Sequence, residues 1–137
     1  MPVSQINPYL VFAGDCRAAM THYADVLGGT VEAMMTAAGT PMEEHVPAER
    51  RDKIIHACIK IGEQRLMASD APPDYYSKPQ GTSVSLHFND AAEGRRIFEK
   101  LSEGGSVGMA FEPTFWSKGF GTCTDKYGTP WMINCTP

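Results

Sequence analysis

Thr114-Phe115-Trp116-Ser117-Lys118-Gly119-Phe120-Gly121, running on through Asp125-Lys126-Tyr127-Gly128-Thr129-Pro130-Trp131-Met132-Ile133-Asn134, is the stretch on which the fold turns. It predicts two short strands joined by a tight turn at Asp125-Lys126-Tyr127-Gly128, with a glycine-flanked aromatic loop in front. Its side chains can shape a pocket and grip a ligand. They include no thiol pair or histidine cluster that would name a reaction.

Upstream of this block the hydrophobic period alternates in a pattern that repeats. Residues 6 to 13 predict a strand, which Gly14-Asp15 breaks while offering a helix N-cap. Ala19, Met20, Tyr23, Val26 and Leu27 then recur at three- and four-residue steps, so one helix face is apolar, and Gly28-Gly29 ends the helix. Strand patterns follow at 30–36, 54–61 and 64–69. The second half replays this order: a strand over 83–88, the capping sequence Asp90-Ala91-Ala92-Glu93, a helix with the stripe Ile97, Phe98 and Leu101, and the stop Gly104-Gly105. Strands over 108–112, 119–125 and 130–136 complete it. The chain is thus α+β, a single domain over 1–137 built from two βαβββ modules, about 6–70 and about 82–136. A Pro- and Glu-rich surface loop, 37–52, enlarges the first module, and 71–81 joins the two.

Composition bounds the partners. A chain of 137 residues buries a core without staples, and its net charge is only −4. The densest basic group, Glu49-Arg50-Arg51-Asp52-Lys53, is interleaved with acids, so no nucleic-acid footprint is expected. No apolar run approaches membrane-spanning length and the N-terminus lacks a signal-peptide pattern; no membrane partner is expected, and a cytoplasmic location is. Cys16, Cys58, Cys123 and Cys135 form no CxxC pair and read as buried, reduced thiols. Cys16 differs in lying near a helix N-terminus, where a thiolate is favoured.

The paired modules, together with Leu27-Gly28-Gly29, Met67-Ala68-Ser69-Asp70 and the Thr114–Asn134 block, make the chain resemble the vicinal oxygen chelate superfamily, and within it the PhnB-like branch of glyoxalase/bleomycin-resistance proteins. The resemblance implies strands curving into a cup, usually completed in a homodimer. Metal-dependent members carry His or Glu on the first and last strand of each module. Matching turns and glycines puts Pro8 or Asn7, Leu66 or Met67, Ser83, and Met132 at those positions. None offers an imidazole or carboxylate, so no metal and no other cofactor is expected. Members of this branch also carry the label 3-demethylubiquinone methyltransferase. A methyltransferase needs a Gly-rich strand-to-helix turn, whereas both Gly-Gly pairs here follow helices.

Strand alternation selects the residues that face the cup. Ile55, Ala57, Ile59 and Ile61 should meet a helix, turning His56, Cys58 and Lys60 to the other side. Likewise Ser83, Ser85 and His87 face the cup while Val84, Leu86 and Phe88 pack; Met132 and Asn134 face it while Trp131, Ile133 and Cys135 pack. His56 and His87 are the catalytic candidates, as acid/base groups. Lys60, Ser83, Ser85, Trp116, Lys118, Met132 and Asn134 are the ligand-binding candidates. Aromatics on loops suit a flat or apolar small organic ligand, and equally suit a dimer interface. Three functions stay open: metal-free binding of a small organic molecule, acid/base catalysis of lyase or isomerase type through His56 or His87, and a dimeric accessory protein with a vestigial pocket.

Overall fold

The computed structural model describes residues 2–136. Two compact units divide it, one ending at Ser77 and the other beginning at Lys78. The first contains β1 (Tyr9–Phe12), α1 (Cys16–Leu27), β2 (Thr30–Thr36), β3 (Ile54–Ile61) and β4 (Gln64–Asp70); the second contains β5 (Val84–Phe88), α2 (Ala91–Ser102), β6 (Ser106–Glu112), β7 (Gly119–Thr124) and β8 (Pro130–Cys135). Each unit is a four-stranded mixed sheet, ordered β1-β4-β3-β2 and β5-β8-β7-β6, in which only the first and last strands pair in parallel. This is the α+β architecture expected from the repeat.

The two registers superimpose residue by residue. Phe12 opposes Asp70 and Phe88 opposes Cys135, so Tyr9 corresponds to Ser85, Val11 to His87, Met67 to Met132 and Ser69 to Asn134. The second strand of each unit even carries its irregularity at the same place, between Val31 and Ala33 and between Val107 and Met109.

Each helix covers one sheet face. Ala19, Met20 and Tyr23 of α1 are fully buried with Ala57, Ile59, Leu66 and Ala68; Ile97, Phe98 and Leu101 of α2 are buried with Phe111, Trp131 and Ile133. On β7 two of the three helix-facing places, Gly119 and Gly121, are glycines, and the third is Cys123. A side chain at Gly121 would begin 2.7 Å from the Phe98 ring and 3.0 Å from the main chain of Phe111, so the bare backbone is what lets these aromatics pack. Gly28 ends α1 in a left-handed conformation (φ 71°), as the Gly-Gly signal requires.

Several local expectations are corrected. Asp15 makes no side-chain cap; instead Asp70, from the end of β4, accepts the N–H of Cys16 at 3.0 Å and of Ile54 at 2.9 Å. At α2, Asp90 does cap, accepting from Ala92 N–H at 3.1 Å, but Glu93 pairs forward with Arg96 at 2.7 Å rather than back to the backbone. An irregularity of register between Met35 and Thr36 shifts the phase of β3, so Ile54 takes the buried place expected of Ile55. The 37–52 loop contains two short 3₁₀ turns, Glu43–His45 and Ala48–Arg50, and Arg50 ties it to the Ala71 carbonyl at 3.1 Å.

The opening block is held by one carboxylate. Asp125 is buried, and it accepts the N–H of Tyr127 at 2.8 Å, the N–H of Thr129 at 3.0 Å and the indole N–H of Trp131 at 2.8 Å. Gly128 closes the turn with φ 95° and donates to the Asp125 carbonyl at 3.0 Å. The turn thereby fixes the register of β7 against β8, and with it the side chains that β8 presents.

Candidate functional site

In the second unit, register lays out the sheet face turned away from α2. His87, Asn134 and Phe120 share one row across β5, β8 and β7, and Ser85, Met132 and Thr122 share the next. At ordinary strand spacing each row spans about 10 Å. Ser85 Oγ lies 3.1 Å from His87 Nε2, and the Asn134 amide lies 3.5 Å from His87 Nδ1. The Asn134 Oδ1 atom is buried with no hydrogen-bond partner. At the other end of that row Phe120 meets the Trp116 ring edge-on at 5.5 Å, and Trp116 meets Phe115 at 4.8 Å. Phe115 is almost wholly exposed at 98%, an aromatic that costs solvation unless something covers it.

Not every predicted residue joins this set. Ser83 precedes β5, is exposed and stands outside the rows. The main-chain N–H of Lys118 donates to the Cys135 carbonyl at 3.1 Å, while the residue as a whole is exposed just before β7. Ser85, His87, Met132, Asn134 and Trp116 are the candidates that the second unit brings together, with Phe120 and Thr122 added by register.

The corresponding face of the first unit is built differently. The hydroxyl of Tyr9 lies 3.3 Å from His56 Nδ1, with the two rings stacked at 5.9 Å. Nothing in the strand pattern of 6–13 marks Tyr9 as a partner of His56, because the two lie on strands far apart in sequence. Beside this pair, Arg65 grips Glu32 through two hydrogen bonds, 2.8 and 3.3 Å, which hold the Glu32 carboxyl below its ordinary range. Lys60 opposes Arg65 in register and is half-buried. Cys58, expected on this face, is buried with its thiol 3.7 Å from Glu32; burial first and that carboxylate second push its pKa up.

Cys16 is the buried, reduced thiol expected, but without the thiolate character that its helix position suggests. Burial, followed by the charges of Asp70 and Asp15, pushes its thiol up to about 12, outweighing any gain from the helix N-terminus. It is an inert core thiol. His22 lies on α1 and His45 in a 3₁₀ turn, away from both rows.

The residue beside Met67 on the first strand is Tyr9, and the residue beside Met132 is Ser85, so the paired positions hold a phenol, a hydroxyl and two thioethers. A catalytic divalent ion needs about three imidazole, carboxylate or thiolate ligands. No group of three His, Cys, Asp or Glu is placed to hold an ion among the described residues. The donor set does not fit the metal site of the metal-dependent members.

Comparisons with known proteins agree with the architecture. The model of the Glyoxalase/Bleomycin resistance protein/Dioxygenase superfamily matches residues 5–133. Protein YjdN of Escherichia coli (strain K12) is 36% identical over 137 residues, covering 94% of this chain and 93% of its own. The crystal structure of protein PA1353 from Pseudomonas aeruginosa is 47% identical with a TM-score of 0.89 and covers 98% of both chains. A putative 3-demethylubiquinone-9 3-methyltransferase, PhnB protein, from Bacillus cereus shares the fold at TM-score 0.82 and 23% identity, over 97% of this chain and all of its own.

Proposed function

The chain belongs to the Glyoxalase/Bleomycin resistance protein/Dioxygenase superfamily, and on that premise we propose that it binds a small organic molecule without a metal ion, on the helix-free face of its second sheet. The observation that carries this reading is the row His87–Asn134–Phe120, which sets hydrogen-bonding groups at one end and an aromatic wall, extended by Trp116, at the other. Such a mixture of apolar surface with a few polar groups is what small-molecule sites use for affinity and orientation. The protein acts in the cytoplasm as a homodimer in this proposal. The 98% exposure of Phe115 and the half-exposure of Val107 and Met109 on the edge strand β6 support a second copy as what covers them. Methyl transfer is not carried over from the Bacillus cereus protein's name, because Gly28-Gly29 and Gly104-Gly105 both follow helices.

A second reading has its own support. The 3.3 Å contact between Tyr9 and His56 gives that imidazole a hydroxyl partner, which suits acid/base work on the first sheet.

Chelator-stripped protein screened with small aromatic and polar fragments by NMR tests the main reading. Amide shifts should fall on Ser85, His87, Asn134 and Phe120, and Phe120→Ala should weaken binding by about tenfold. A rise of several degrees in Tm with one divalent metal, at about one ion per chain, would overturn it.

A further inference from the structure

The hydrogen bonds around His87 define a direction for its protons. A neutral imidazole holds one N–H. Placed on Nδ1, that proton points at the Asn134 amide 3.5 Å away and leaves the Nε2 lone pair to accept the Ser85 O–H at 3.1 Å. An amide exchanges its oxygen and nitrogen by a half-turn. The half-turn brings Asn134 Oδ1, otherwise buried without a partner, to His87 Nδ1–H. The main chain holds all three groups: Ser85 and His87 are two apart on β5 and share a face, and Asn134 opposes His87 on β8. Ser85 and His87 are both exposed, so a reacting carbon can reach the oxygen. Met132, beside Ser85 in register, gives an acyl chain an apolar floor.

We infer that Ser85 is a nucleophile, His87 its general base and Asn134 the positioning residue for His87, and that the ligand class of this face is a carboxylic ester or thioester whose acyl group passes to Ser85. The inference rests on the second open face being the ligand site. In the step itself, the Ser85 proton moves to His87 Nε2 as Oγ bonds to the carbonyl carbon. Collapse then breaks the bond from that carbon to the alcohol or thiol, which leaves with the proton from His87. The acyl group remains as an ester on Ser85 until water, deprotonated by His87, releases the acid. Water is the only reactant besides the ester or thioester, and no oxidant or metal enters.

The test uses the full chain and p-nitrophenyl acetate, following p-nitrophenolate release, the acetyl group mapped by peptide mass spectrometry, and amide shifts from the fragment screen. Acetylation should fall on Ser85, vanish in Ser85→Ala, drop at least about tenfold in His87→Ala and recover when imidazole is added to that variant. Asn134→Ala should slow it, while Asn134→Asp, whose carboxylate accepts the Nδ1 proton more strongly, should at least restore it. Acetylation confined to lysines, or unchanged in His87→Ala, refutes acyl transfer. Fragment shifts at Met132 and Asn134 without Ser85 acetylation refute the nucleophile and leave the binding face standing. Neither shifts nor acetylation refutes both.

Discussion

Replacing Asp125 with Ala removes the acceptor on which the closing hairpin depends. The N–H groups of Tyr127 and Thr129 and the Trp131 indole N–H all donate to that carboxylate. Tyr127 is half-buried, so its N–H can turn to water. Thr129 and Trp131 are 2% and 0% exposed, and their donors lose this acceptor with no solvent at hand. A buried donor deprived of its partner costs about 1–3 kcal/mol, more when the lost acceptor was charged. The two together imply a loss of about 3–5 kcal/mol, a large share of the total stability of a small domain. Urea unfolding followed by tryptophan fluorescence, with m unchanged, reads this as a fall in the midpoint. Asp125→Asn keeps the shape but turns one acceptor oxygen into a donor, so it should fall between Ala and the native protein. A loss below about 1 kcal/mol for Asp125→Ala would show that the turn holds without its clamp, and that the register of β8 has another origin.

Other outcomes follow from the same structure. Cys16 holds its proton in the folded chain up to about 12, against an ordinary 9.0, so its contribution to stability is complete below pH 9 and is lost as pH rises toward 12. Cys16→Ala should therefore flatten the alkaline limb of the stability curve by about 1.4 kcal/mol per pH unit, and parallel limbs for the two proteins would refute this. Gly121→Ala should destabilise by about 1–3 kcal/mol, since the new methyl meets Phe98 and the Phe111 main chain; a neutral result in thermal melts would mean that α2 shifts freely over β7. Light scattering at micromolar concentration should give a dimer, and Phe115→Ser should move it toward monomer; a monomeric native chain refutes the covering role given to Phe115.

Alternation was the reliable guide wherever a strand is regular. On β8 it separated Trp131, Ile133 and Cys135 from Met132 and Asn134, and burial follows that division. It misplaced Ile55 because a register irregularity in the β2–β3 ladder changes the phase, and no residue type announces that irregularity. Asp125 is legible in the sequence as the start of a turn and Asp70 as the close of the first module; their roles as side-chain acceptors for the turn and for a helix start arise from side-chain direction and from contacts distant in sequence. The same holds for Tyr9, whose meaning depends on His56, 47 positions away. Cys16 is buried as the spacing of the cysteines implies, and burial beside two carboxylates outweighs the thiolate preference that its helix position suggests.

The internal repeat separates what the scaffold demands from what the faces do. Corresponding positions that pack or turn the chain stay alike: Phe12 and Phe88 end the first strands, glycine pairs end both helices, and the second strands are irregular at matching places. Corresponding positions on the open faces do not. Tyr9 matches Ser85, Val11 matches His87, and Ser69 matches Asn134, while the histidine of the first face comes from β3 and that of the second from β5. Folding within a unit places little demand on these exposed or half-buried side chains, so their divergence is free to follow chemistry. A face pair required to supply matched donors to an ion would hold such positions alike, whereas here only Met67 and Met132 match, and both are thioethers. The asymmetry supports the proposal made above, in which Ser85, His87 and Asn134, in two neighbouring rows of the second face, act on a ligand.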